Sequence, residues 1–329
     1  MISLNHMINF WEKLPKPFFC LAPMADVTDV AFRYIITKYG KPDVTWTEFV
    51  SADGLASAGR EVLKYDLLYS KKEKPIVAQL FSSHPESMRR AACYVATLGF
   101  DGVDINMGCP DRSIEKQGAG AAMMKDIEKA GLIIQAVKDG IKDSKKKNVS
   151  VSVKTRIGYN KNQISEWIPF LLSCDIDALT IHARTRREMS DVPARWEHVK
   201  EVVDIRNKMG VKTKIIGNGD VRDIEQGRKL AKETGCDGIM IGRGIFGNPW
   251  LFADNKKVPT VKQKLKVLVE HTKLYEKLLD KVKNFAVMKK HFKAYVNGFD
   301  GAKELRVKLM ETNNTKGMEA IIKEFLKNH

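Results

Sequence analysis

The chain has 329 residues, 43% hydrophobic and 29% charged, an ordinary globular balance that allows one domain of about 200 to 250 residues plus a smaller one. Its first twenty residues are interrupted by Asn5, His6, Asn9, Glu12 and Lys13, and no run reaches the roughly 20 apolar residues of a spanning helix, so neither export nor a membrane partner is expected. The formal net charge of +16 favours a polyanionic partner, nucleic acid before acidic membrane, although lysines that merely solvate helices would give the same total.

Short β-branched or apolar runs recur along the first 250 residues. They are Phe18–Leu21, Val44–Thr47, Ile76–Leu80, Gly102–Ile105, Ser150–Lys154, Ala178–Ile181, Lys214–Ile216 and Gly238–Ile241. Helical patterns fall between them at 27–39, 85–97, 126–141, 163–172, 196–208 and 223–233, while 65–74 reads as a polar connection without regular structure. Eight strands alternating with helices predict an α/β fold of parallel βα units closed into a (β/α)₈ TIM barrel. After Trp250 the strand-like runs stop. Helical spacing marks 261–279, 284–296, 302–310 and 315–326, punctuated by Gly298, Gly301 and Asn313-Asn314. The expected organisation is a barrel over 1–252, a linker at 253–259 and a C-terminal all-helical domain over 260–329. Residues 251–329 hold 18 Lys and Arg against 9 Asp and Glu, a net +9.

Nearly every predicted strand runs into chemically capable residues: Ala22-Pro23-Met24, Glu48, Gln79, Asn106 to Cys109, Lys154 with Arg156, His182 with Arg184, Asn218-Gly219-Asp220 and Gly242-Arg243-Gly244. In a barrel all strand C-termini share one rim, so polar clusters in phase with eight strands predict a single site. The five cysteines, Cys20, Cys93, Cys109, Cys174 and Cys236, form no CxxC. That argues against a metal or a disulfide framework and for a reducing, cytoplasmic setting. Cys109 stands apart, between Gly108 and Pro110 on a rim loop, where a thiol can give up a proton or attack as thiolate. Lys154 at a strand end suits a phosphate, a Schiff base or an electron-rich ring edge. The glycine turns after strands seven and eight, with Arg243, predict a phosphorylated cofactor or substrate. No Rossmann or P-loop motif is present. Glu48, Asp104 and Asp220 are candidate general bases; Asp104, within strand four, also reads as orienting its neighbours, and Glu48 reads as well as a charged strand terminus as it does as a residue supporting the site from behind.

Taken in order, Ala22-Pro-Met-Ala-Asp-Val-Thr-Asp29 with Phe32-Arg33, Gln79-Leu80, Asp104-Ile-Asn-Met-Gly-Cys-Pro110, Val153-Lys-Thr-Arg156, His182-Ala-Arg-Thr-Arg186, Ile216-Gly-Asn-Gly-Asp220, Asp237 to Gly244 and Met288-Lys-Lys-His291 resemble the tRNA-dihydrouridine synthases. The resemblance runs from about residue 18 to 310. It implies FMN at the barrel mouth, over Pro23 and Met24, with Gln79, Lys154 and His182 at its ring and Asn218, Gly219, Gly242 and Arg243 around its phosphate. It further implies NADPH or NADH as reductant and a flipped-out tRNA uracil held by Asn106, Arg184 and Arg186. Cys109 would protonate C5 of that uracil, the helical domain would grip the tRNA, and a monomer is expected. Asp26 stands where a glycine is common, Ser82 and Ala183 replace glycines, and Asp111 follows Pro110, where beside a substrate phosphate it would repel RNA unless it points away or marks another target nucleotide. Two rivals stay open: an FMN barrel acting on a small pyrimidine, and an RNA-binding protein without turnover. A sugar-phosphate isomerase or aldolase barrel leaves Asn106 to Cys109 unexplained.

Overall fold

A computed structural model describes residues 9–253 and 258–328. The first eight residues of the N-terminal stretch, positions 254–257 of the expected linker and His329 lie outside the described residues. Eight parallel strands are present: β1 (Phe18–Leu21), β2 (Thr45–Ser51), β3 (Ile76–Phe81), β4 (Gly102–Met107), β5 (Ser150–Arg156), β6 (Ala178–His182), β7 (Lys214–Asn218) and β8 (Gly238–Ile241). Their order, β1-β8-β7-β6-β5-β4-β3-β2, is that of a rolled sheet. A parallel bridge between Cys20 and Val44 brings β1 against the start of β2 and closes the barrel.

The helices α1 (Val30–Gly40), α2 (Pro85–Thr97), α3 (Ile127–Asp143), α4 (Ile164–Ser173), α5 (Glu197–Met209) and α6 (Ile224–Thr234) lie between successive strands in the sequence. Side-chain oxygens start several of them: Asp29, Asp126 and Asp223 each accept a backbone N–H of the first turn. Alternation along the strands separates two cores. One side chain in two packs outward against the helices, as Leu21, Val50, Ile105 and Ile181 do. The others fill the barrel, where Trp11, Phe18, Cys20, Trp46, Val77, Ile216 and Met240 form an apolar plug. Above that plug the interior turns polar, with Gln79, Asp104 and Ser152 fully buried.

Four helices follow, α7 (Val261–Leu279), α8 (Val287–Tyr295), α9 (Ala302–Met310) and α10 (Thr315–Asn328). Thr260 and Gln263 open α7 with a reciprocal capping box. Their core is shared with the barrel, because Val30, Ala31 and Ile35 of α1 are buried among Leu265, Leu268, Met288 and Phe292.

Two expectations need correction. Six of the eight strands run past the end of the apolar runs that announced them, so Glu48, Asn106, Arg156, His182 and Asn218 lie inside strands, as Gln79 and Lys154 were expected to. The connection at 65–74 is also more ordered than its composition suggests. Lys71–Glu73 is a capped 3₁₀ turn, and Glu73 reaches into the protein to meet Arg33 at 2.8 Å, both side chains fully buried. Glu73 there serves a buried ion pair, while Lys71 and Lys72 stay exposed.

Candidate active site

Parallel strands deliver their carboxyl ends to one rim, and register sets which side chains stand side by side. Asn106 on β4 is level with Lys154 on β5, and His182 on β6 with Asn218 on β7. A cavity of about 210 Å³ opens there, lined by Pro23, Met24, Lys154, His182, Asn218, Gly219, Gly242 and Arg243 among others. Eight of the thirteen candidate residues therefore share one hollow. Gln79, Asn106, Cys109, Arg184 and Arg186 are not among its lining residues. A larger hollow, about 710 Å³ and bounded by residues such as Ile224, Trp250, Lys264 and Ala294, contains none of the candidates.

Beside the cavity a string of side chains runs across the barrel. Ser152 Oγ and Gln79 Nε2 donate to Asp104 at 2.5 and 2.6 Å. Asn106 Nδ2 donates to Gln79 Oε1 at 3.0 Å, and Asn106 Oδ1 accepts the amides of Gly108 and Cys109 at 3.1 and 2.9 Å. Burial pushes the Asp104 carboxyl up to about 6, against the pull of Gln79 and Ser152. Its place, fully buried beneath Gln79, makes it an orienting group rather than a base that substrate could reach.

The Cys109 loop is held from three sides. Beneath it is Asn106. Arg156 Nε donates to Gly108 O at 2.9 Å, and its Nη1 donates to Thr185 O and Met189 O, joining this loop to the one after β6. Behind it, Gly120 adopts φ +61°, and a Cβ there would come within 2.8 Å of Cys109 O. Burial pushes the Cys109 thiol above its ordinary value, outweighing the nearby Lys154 and Arg156, so the sulfur carries its proton at neutral pH.

Cations crowd the cavity wall. Lys154 Nζ donates to Asn218 Oδ1 at 3.2 Å, and Asn218 Nδ2 donates to Met240 O at 2.8 Å. Burial, then Arg156, lowers the Lys154 ammonium to about 8. Burial and four surrounding cations hold His182 well below its ordinary value and therefore neutral. Its Nε2 faces Arg184 Nη1 at 3.2 Å, which makes Nε2 an acceptor and leaves Nδ1 as the donor. Gly219 adopts φ +131°, and a Cβ there would sit 2.7 Å from Ala194 Cβ and 3.3 Å from His182 Cδ2. Fixed cations, a neutral imidazole and a backbone cradle that only glycine permits suit an anionic, ring-bearing cofactor.

Sequence reasoning listed Asp220 as a possible base, but it is an anchor. Burial works against its ionisation, yet Arg184, the Ala194 amide and Arg243 keep its carboxyl below the usual range. Arg184 is 2% exposed, paired with Asp220 and donating to Val192 O at 2.6 Å. Arg186 pairs through Nε and Nη2 with Glu115 and lies over the Tyr159 ring. Glu115 was not anticipated; only its proximity to the cysteine segment hinted at it. The departures from the family pattern find local roles. Asp111 caps the short helix Arg112–Lys116, Ser82 Oγ donates to Asp53 at 2.8 Å, and Asp26 adopts φ +52°, the backbone a glycine would take. Among the described residues no group of three His, Cys, Asp or Glu could hold a metal ion, and no helix is long and apolar enough to cross a membrane.

The chain is similar to proteins named for one activity. It is 40% identical over 320 residues to probable tRNA-dihydrouridine synthase 2 of Bacillus subtilis strain 168, covering 96% of each chain. It is 39% identical to the probable tRNA-dihydrouridine synthase of Staphylococcus aureus strain MRSA252, covering 96% of this chain and 95% of that one. Among solved structures, histamine dehydrogenase from Rhizobium sp. 4-9 matches with a TM-score of 0.52 at 11% identity over 78% of this chain and 48% of its own, a likeness of fold alone. The family model for dihydrouridine synthase matches residues 20–329. The chain belongs to the dihydrouridine synthase family and is an FMN-dependent oxidoreductase of that family.

Proposed function

We propose that the chain reduces particular tRNA uridines to 5,6-dihydrouridine at this rim, with Cys109 as the catalytic acid. The observation that carries the reading is a cysteine loop, held by Asn106, Arg156 and Gly120, that sets Cys109 beside a cavity walled by Lys154, His182 and Arg243. FMN, when bound, supplies the electron pair that saturates the uracil C5=C6 bond, and NADPH or NADH restores it.

In this reading Pro23 and Met24 support the FMN ring, with Gln79, Lys154 and His182 toward its polar edge. Asn218, Gly219, Gly242 and Arg243 take the phosphate. Lys154 Nζ and the neutral His182 stabilise negative charge at that edge, one as a cation and the other as a donor. A uridine stacked inside folded RNA must be extruded to enter, and Asn106, Arg184 and Arg186 are its proposed contacts. Arg184 and Arg186 are engaged with Asp220 and Glu115, so direct contact requires each to share its guanidinium with the substrate. Cys109 Sγ then delivers its proton to uracil C5. The raised thiol value suits this task, because a proton donor must hold its proton until negative charge develops. Residues 260–329 would form the part that grips the tRNA, which the net +9 of residues 251–329 supports, and the protein would act as a monomer.

Cys109→Ala tests the assignment. The purified variant is expected to bind FMN, judged by its visible absorbance, and to reoxidise in air like the parent, while mass spectrometry of treated tRNA finds almost no dihydrouridine. Full dihydrouridine formation by the variant would sink the role of the thiol.

A further inference from the structure

Midway along β2 one carboxylate links the barrel to the helical region. Glu48, 4% exposed, uses both oxygens and sends them to different parts of the molecule. Oε2 accepts from Lys283 Nζ at 2.7 Å, and Lys283 lies in the turn between α7 and α8. Oε1 accepts from the Asp26 amide at 2.5 Å. Asp26 belongs to the turn at 22–28, which carries Pro23 and Met24 into the cavity.

That turn needs support. Asp26 has φ +52°, a conformation costly for any residue with a Cβ. The ends of the turn are tied down, where Ala22 N donates to Ile241 O at 2.9 Å and Arg33 Nη1 to Thr28 O at 2.6 Å, and between them Met24 N donates to Thr28 Oγ1 at 2.9 Å and Val27 N to Met24 O at 3.1 Å, while the Asp26 amide itself turns to Glu48. Lys283 is also built in rather than draped on the surface. Its side chain is 15% exposed, it reaches Asp66 at 2.9 Å as well as Glu48, and its turn is pinned where Tyr275 Oη donates to Asn284 O at 3.0 Å. Burial pulls against the charge on Lys283, yet Glu48 and Asp66 together hold its ammonium above the ordinary value.

We infer that Glu48 is a positioning residue which, through Lys283, lets the seating of the helical region set the geometry of the turn that faces the cofactor. The inference rests on reading the 22–28 turn as part of the FMN site. Neither Glu48 nor Lys283 lines the cavity, and the Asp26 amide is the hydrogen bond that joins the Glu48 carboxylate to the turn that does. Removing Lys283 leaves a buried carboxylate without its counterion, and burial then drives Glu48 toward its neutral form, a weaker acceptor for that amide.

The test compares Glu48→Ala, Glu48→Gln and Lys283→Met with the parent protein, using FMN titration by fluorescence and the visible spectrum of the bound flavin. Loss of one charge-assisted hydrogen bond is expected to weaken FMN binding about tenfold in Glu48→Ala, with an altered spectrum. Glu48→Gln, which keeps an acceptor for Asp26, is expected to recover most of that loss. Lys283→Met, lying in another part of the molecule, is expected to weaken FMN severalfold and carries the test if Glu48→Ala does not fold. Variants that are less heat-stable yet hold FMN with the parent's affinity and spectrum overturn the inference and leave Glu48 a structural strut. A parent protein that takes up no FMN overturns the cavity reading, and the inference falls with it.

Discussion

At the carboxyl rim Gln79, Asp104, Asn106 and Asn218 are all buried, and each is tied to a partner. Where α1 meets α7 and α8, His271, His291 and Tyr295 are also buried, yet none of their side-chain polar atoms finds a partner among the described residues. The two histidine rings lie 4.7 Å apart, with Phe32 5.6 Å from one and 5.2 Å from the other, and they pack as aromatic rings would. Both regions forgo water, which costs about 1 to 3 kcal/mol for each unpaired polar group. The rim recovers that cost as direction, since every bond there aims a side chain or a loop. The seam recovers it only as packing. Burial accordingly lowers His271 to about 3 and holds His291 well below its ordinary value.

The largest expected effect concerns the seam. A histidine unprotonated when folded but titrating near 6.5 when unfolded contributes fully above that pH and loses its contribution as pH falls below it. Between pH 7 and 5 this amounts to about 2 kcal/mol for each histidine. In urea unfolding the double variant His271→Leu, His291→Leu should therefore lose about 4 kcal/mol less than the parent over that interval. Equal losses would mean that the rings are not dry when folded.

Asn106→Ala attacks the rim, leaving the Gly108 and Cys109 amides without their acceptor. Single-turnover dihydrouridine formation should fall about a hundredfold, equivalent to roughly 3 kcal/mol, with FMN affinity changed much less. An unchanged rate would show that Arg156 and Gly120 hold the loop unaided.

Lys154 gives a smaller, pH-dependent effect. Its charge is lost as pH rises through about 8, so FMN affinity should drop about tenfold toward the alkaline side. Lys154→Met should bind weakly at every pH, without that step. A parent-like alkaline step in the variant would assign it to another group.

Smallest is Asp111→Ala, which removes the cap of the helix Arg112–Lys116 and should cost about 1 kcal/mol in thermal unfolding. Its affinity for tRNA should stay the same. A clear tightening would restore the view that this carboxylate repels RNA.

Much of this was legible in the chain itself. The alternation of strand-like and helical runs announced the barrel. The phase of polar residues with strand ends announced the rim. Strand ends were read short where Glu48, Asn106 and His182 end apolar runs, although the backbone ladder is indifferent to side-chain polarity and continues through them. The partners of Arg184, Arg186 and Glu48 were not legible, since Asp220, Glu115 and Lys283 are distant in sequence and no periodicity links them.

Local physics therefore settled what each segment would become and which residue types would face the rim, because turn chemistry and side-chain period act over a few residues. Closure of the sheet settled the rest. Only when eight strands share one rim can Asn106 hold the Cys109 loop, Asp220 gather two guanidinium groups and a lysine 235 residues away reach Glu48. Charge pairing depends on distance in space, and that distance exists only in the folded chain.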